Sequence, residues 1–180
     1  MKKFTELLAV RGVSVYLHWS TLLVGGVILL GAFDKPAETL AAWGSYFSVL
    51  LIHECGHMVV AQRKGCHVSA IELYPIHGLL RYSEPWSRYD DSVIAWGGVL
   101  AQAIVGIPLV AFAAIAGFTR YPVLNVVIGV LGYYSLLIAA LNLLPIRPLD
   151  GAKAWYVFAK WFKRKEQAPP RRENPWRSYR

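Results

Sequence analysis

Cysteine is nearly absent from this 180-residue chain. Cys55 and Cys66 are the only two, too few for a disulfide framework, and both read as free thiols, Cys55 as a small packing residue. Charge is sparse too, with charged residues at 17% of the chain, 11 acidic against 19 basic. The resulting net +8 gathers in connecting stretches and the tail. It forms no basic stripe interleaved with aromatics, which argues against a nucleic-acid partner. No cleavable signal peptide is expected, because the first apolar run is span-length and lacks a small-residue cleavage site followed by a soluble domain. What abounds is apolar: 56% hydrophobic residues, seven tryptophans and a mean hydropathy of +0.38 exceed the usual content of a soluble domain. The chain reads as a membrane protein about one domain long.

Residues 1–12 are polar and basic. Val13 to Tyr16 leads into Leu17-His18-Trp19 and an apolar run to Phe33, the expected first span, with Trp19 as an interfacial anchor. His18, at the end of that span, reads as an interfacial or core histidine rather than a ligand. After the turn Asp34-Lys35-Pro36, a second span runs from Thr39 to Val60 and stops at Gln62-Arg63-Lys64. From Cys66 to Tyr82 the pattern changes to two short strands around Pro75-Ile76-His77-Gly78. That hairpin either offers an edge to an extended peptide or serves as a structural loop. A third span covers Ser92 to Phe118, where Gly97-Gly98 permits close helix approach, and a fourth runs from Val123 to Leu144. Ala152 to Phe162 looks helical, but at about 16 Å it falls short of a bilayer core of about 30 Å, so it is amphipathic or only partly inserted.

The expected fold is therefore an all-α polytopic membrane protein. It has about four transmembrane helices plus a short terminal helix, and a small β-hairpin between helices two and three. Residues 1–162 form the membrane-embedded domain, and 163–180, charged and proline-rich, a disordered basic cytoplasmic tail. In this topology Lys35 and Arg120 are the only basic residues on one side, and the other 17 lie opposite. The positive-inside rule then places both termini in the cytoplasm.

Within the second span lies His53-Glu54-Cys55-Gly56-His57, an H-E-x-x-H set in a helical pattern. At 3.6 residues per turn the two imidazoles fall one turn apart on one face, able to converge on one ion, with Glu54 beside them. Imidazole suits Zn²⁺, and two of them leave room for a third protein ligand and a water whose proton Glu54 can take. Chance occurrence is the alternative, but ionisable side chains on neighbouring turns of an apolar helix are costly to keep without a function. The third ligand must come from elsewhere. Asp150 follows the fourth span on the same side of the membrane, Pro145 and Pro148 break that helix, and Gly151 allows close approach. Asn142 lies at the same depth.

These two motifs resemble those of the site-2 proteases, intramembrane zinc metalloproteases. His53-Glu54-Cys55-Gly56-His57 matches that family's H-E-x-G-H pattern, and Asn142-x-x-Pro145-x-x-x-Leu149-Asp150-Gly151 its N-x-x-P-x-x-x-L-D-G pattern. Weaker similarities are Val13-x-Val15-x-x-His18-Trp19, Tyr74-Pro75 and Gly97-Gly98-x-x-Ala101-Gln102. With no inserted PDZ module or CBS pair visible, the chain looks like the compact bacterial branch that includes sporulation-type processing proteases. Ile76-His77-Gly78 departs from the family's paired glycines. Val99 and Gln102 stand where a proline and an asparagine are usual, changes that bear on substrate-strand contacts and leave the zinc motif intact.

The resemblance implies one Zn²⁺ per chain on His53, His57 and Asp150, with Glu54 as general base and acid. It also implies that Asn142 helps hold substrate or a developing oxyanion. The expected partners are a transmembrane protein substrate and the bilayer, with no nucleic acid. The rival reading is a membrane metal transporter or zinc-binding scaffold without proteolysis. A transporter would set polar groups along a path through the bilayer, whereas here they cluster near one face.

Overall fold

The computed structural model describes residues 4–75 and 77–158. A two-residue turn opens the fold. Arg11 and Gly12 both take positive φ (51° and 82°), the turn that suits the twist of a two-residue hairpin, and it joins β1 (Phe4–Val10) to β2 (Val13–His18). In β2 the residues alternate, with Val13, Val15 and Leu17 buried, as expected of a half-buried strand. Helix α1 (Trp19–Leu29) and a 3₁₀ turn (Leu30–Phe33) follow, then the long α2 (Pro36–Arg63). Next come β3 (Val68–Leu73), β4 (Gly78–Tyr82) and α3 (Arg88–Ala116). Helix α4 (Pro122–Asn142) has α-helical ends and a π-helical turn over Ile128–Tyr134. A short α5 (Gly151–Ala154) closes the described chain.

The strands form one sheet in the order β1-β2-β3-β4, with β2 and β3 parallel and the outer pairs antiparallel. Parallel pairing requires a crossover, which α1 and α2 supply. The expected lone hairpin is thus corrected to a four-stranded mixed sheet. Residues 4–18, expected as a polar leader and the entry to a span, supply half of it. The inner face packs on α2, where Val13, Val15, Leu17, Ile71, Leu73 and Leu80 meet Leu50, Met58 and Ala61. Thr21 Oγ1 donates to Leu73 O at 2.9 Å and ties α1 to β3.

The expectation of four spans is also corrected. Among the described residues α3 and α4 are the two helices long and apolar enough to cross a membrane. With residues 13–18 in the sheet, the first apolar segment shrinks to Trp19–Phe33, about 22 Å of helix. Helix α2 has the length, but the polar side chains it carries dilute its apolar character. The terminal helix is four residues, Gly151–Ala154, with a further turn to residue 158. The remainder of the expected 152–162 helix and the 163–180 tail lie outside the described residues.

Helices α2 and α3 touch backbone to backbone. A Cβ on Gly56 would overlap the carbonyl of Gly97, and one on Gly97 would meet Gly56 O at 2.6 Å, the small-residue approach expected of helices in lipid. This contact brings α3 against the motif face of α2.

Candidate metal centre

The helical spacing of His53 and His57 does what the sequence predicts: both side chains leave α2 on one buried face, their ring centroids 4.6 Å apart. Between them and the rest of the molecule there is no room for a side chain on α3. A Cβ on Gly98 would lie 2.6 Å from His53 Cε1 and from His57 Nε2. The other nitrogen of each ring is held by α3. His57 Nδ1 lies 2.8 Å from Ile94 O, and since a carbonyl only accepts, the proton is on Nδ1. His53 Nδ1 donates to Gln102 Oε1 at 2.8 Å, and Gln102 Nε2 donates in turn to Ser135 Oγ of α4 at 3.2 Å. Both Nε2 atoms are left as acceptors, 3.0 Å apart.

Asp150 joins them from 97 residues away. Helix α4 ends at Asn142, the proline-containing loop turns back, and Asp150 sits at the N-cap of α5. Gly151 packs so closely on the carbonyls of Leu143 and Leu144 that a Cβ would overlap them. Asp150 Oδ2 lies 3.0 Å from His53 Nε2 and 3.2 Å from His57 Nε2. Three lone-pair atoms at mutual distances of 3.0–3.2 Å repel unless a cation lies among them. Ligands 2.0–2.1 Å from a tetrahedral zinc are roughly 3.3 Å apart, so N, N and O donors at this spacing fit zinc. Among the described residues this trio is the one group of His, Cys, Asp and Glu side chains gathered tightly enough to hold a metal.

Glu54 is 3% exposed, and its carboxylate has no hydrogen bond or ion pair among the described residues. It faces the same cavity of about 310 Å³ as the trio. Gly78, at the start of β4, covers it so closely that a Cβ there would collide with the carboxylate. Asn142 lines the cavity with its amide free of side-chain hydrogen bonds among the described residues. All five sequence-predicted site residues therefore meet at one cavity. His18 does not. It caps α1 through Ser20 and stacks on Tyr74 at 5.1 Å, a structural role. Cys55 and Cys66 are free thiols, as read.

Sequence reasoning tied the Gln102 departure to substrate-strand contacts and gave the residue no place beside His53. It is fully buried and holds the His53 ring from behind, and Ser135 supports it; a polar amide inside an apolar helix is the signal that points to such a role. Gly78 and the Ile94 carbonyl carry no sequence signal. At the cavity mouth Tyr82 of β4 donates to Asp91 at 3.0 Å, and Lys153 Nζ lies 3.2 Å from the same oxygen. Burial, aided by that carboxylate, pushes the Tyr82 phenol up, so it stays a donor.

A helix-borne histidine pair completed by a carboxylate from a distant helix end, in a chain with span-length apolar helices, defines the class of site: three donor side chains able to hold a metal, with a buried carboxylate beside them. No family model matches the chain. It is similar to a zinc metalloprotease of Methanocaldococcus jannaschii, 26% identical over 151 residues, covering 82% of this chain and 43% of that protein. It is also similar to a Synechocystis protein, sll0528, named provisionally as a zinc metalloprotease. That match is 32% identical over 112 residues and covers 58% of this chain and 27% of the relative. The chain thus spans less than half the length of these relatives. Its fold is that of the site-2 protease from Methanocaldococcus jannaschii, with a TM-score of 0.69 at 24% identity, covering 88% of this chain and 72% of that one. The fold is thus the one expected from the two motifs, and both of these relatives carry zinc metalloprotease names.

Proposed function

We propose that the protein is an intramembrane zinc metalloendopeptidase that hydrolyses a peptide bond within or near a transmembrane segment of another membrane protein. The observation that carries this reading is the pairing of two features at one cavity. One is a trio of bare acceptors, two of them imidazoles whose outer nitrogens are already satisfied. The other is Glu54, a buried carboxylate that nothing else in the described structure engages.

His53, His57 and Asp150 would hold one Zn²⁺ per chain. When bound, zinc supplies a Lewis acid that polarises a carbonyl and acidifies water. The other steps fall to the chain's own groups. Glu54 accepts the proton of the attacking water and returns it to the leaving amine, and its lack of competing hydrogen bonds leaves both oxygens available. The Asn142 amide can donate to a substrate carbonyl or to the oxyanion that develops from it.

A substrate helix hides its backbone in intrahelical bonds and must unwind before attack. Among the described residues the β4 strand is an edge of the sheet, paired with β3 alone, and Leu79, Leu80 and Tyr82 line the cavity. An unwound segment added to that edge would lie extended beside Glu54. The chain's partners are thus a transmembrane protein and the bilayer. The charge asymmetry of the sequence supports an orientation with the loops rich in Lys and Arg toward the cytoplasm.

The test is Glu54→Gln. It keeps shape and leaves the three ligands in place, so purified protein should retain zinc while fragments of membrane proteins seen in cells with the wild-type chain disappear. Unchanged cleavage would remove Glu54 from the mechanism.

A further inference from the structure

Asp150 is the one member of the trio that no long helix holds. It stands between the loop after α4 and the four-residue α5, and a loop carboxylate left to itself would sample many positions. Its backbone, however, is tied down. Asp150 O accepts from Lys153 N at 2.9 Å and from Ala154 N at 2.8 Å. Ala154 O, at the far end of that turn, accepts from Ser92 Oγ at 2.6 Å and from Trp96 Nε1 at 3.0 Å. Ser92 Oγ also accepts from Val157 N at 2.8 Å. Ser92 and Ala154 are both 0% exposed. The same helix, α3, supplies the Ile94 carbonyl and Gln102 that orient His57 and His53.

We infer that Ser92, together with Trp96, is a positioning residue that locks α5 onto α3 and so sets where the Asp150 carboxylate stands relative to the histidine pair. Ser92 touches none of the three ligands. Its hydroxyl bridges two successive turns of the chain, donating to the last carbonyl of α5 and accepting from the N–H three residues on. That single atom replaces the helix continuation that α5 lacks. One rigid helix would then place all three ligands: two by their rings and the third by its backbone. The inference rests on the zinc reading of the trio.

The experiment measures zinc affinity of the purified full chain in detergent, by competition against a chromogenic chelator, for wild type, Ser92→Ala, Asp150→Asn and the double variant. Ser92→Ala should weaken zinc binding about tenfold, the low end of what loss of an outer partner costs a metal site. In the Asp150→Asn background the same change should cost nothing further, because the ligand it positions is already lost. Wild-type affinity in Ser92→Ala overturns the inference. So does an equal loss in both backgrounds, which marks a general loosening of the fold. Should Ser92→Ala fail to fold, Trp96→Phe removes one of the two donors to Ala154 O while keeping a ring, and the same pair of comparisons applies. A wild-type chain that binds no zinc sinks the metal reading itself, a different result from either of these.

Discussion

Replacing Gln102 by methionine isolates what the buried amide does for the metal centre, since the two side chains have similar length and volume. The native amide makes two bonds, accepting from His53 Nδ1 at 2.8 Å and donating to Ser135 Oγ at 3.2 Å. Methionine offers neither. The His53 N–H is then left in a fully buried, apolar spot, at a cost of about 1–3 kcal/mol. Freed of its partner, the His53 ring can also rotate and exchange tautomers, which removes Nε2 from the trio for part of the time. Outer partners of metal-binding histidines are worth about 10–100-fold in affinity, or about 1.4–2.8 kcal/mol. Two readouts separate these effects: thermal melting of the metal-free protein reports the buried N–H, and chelator competition reports the ring. The glutamate variant is the control. It keeps an acceptor opposite His53 Nδ1, and the Ser135 hydroxyl can turn to donate to it, so zinc affinity should hold. If Gln102→Met binds zinc as tightly as wild type, the orientation of His53 is set by something other than this amide.

Gly78→Ala puts a methyl group where the Glu54 carboxylate stands, so cleavage should fall steeply with zinc content unchanged. Loss of zinc along with activity in that variant would show that β4 supports the ligands rather than covering the base. Chelation of the wild-type chain should stop cleavage and lower the melting temperature, and added zinc should restore both. A site filled at 100 times its dissociation constant contributes about 2.7 kcal/mol to folding, and a melting point indifferent to chelation contradicts a metal bound at the trio.

Local pattern and distant partnership were unequally legible. H-E-x-x-H is a one-turn motif, so its geometry follows from helical spacing alone, and α2 presents His53 and His57 as that spacing requires. Asp150 was reachable because proline and glycine mark a break in an apolar run, and the break lies on the side to which the fourth helix returns. The sheet was harder. Val13, Val15 and Leu17 alternate with Ser14, Tyr16 and His18, a strand period of two, yet they run without punctuation into the apolar stretch beginning at Trp19. A reading that weighs apolar length first absorbs them into a span. Their partner is β3, paired in parallel as Ser14 with Ala70 through Leu17 with Leu73, and no short-range signal announces a pairing that distant.

What the sheet does for the centre explains why a chain built from apolar helices keeps it. Helix α3 alone can hold the trio: the close approach at Gly56, Gly97 and Gly98 admits the histidine rings, and Gln102, Ile94 and Ser92 reach the groups that fix them. None of these residues restrains Glu54, whose carboxylate has no hydrogen bond among the described residues. The sheet supplies that restraint by shape, with Gly78 laid against the carboxylate and β3 anchored to α1 through Thr21. A base held by packing rather than by hydrogen bonds keeps its lone pairs for the proton it must move. The same β4 strand that covers Glu54 ends at Tyr82, which bonds Asp91 beside the Lys153 of the Asp150 turn. On the proposed reading, an extended segment lying along β4 would therefore run from Glu54 toward Asp150, and the edge that shields the carboxylate would also give a peptide its direction across the site.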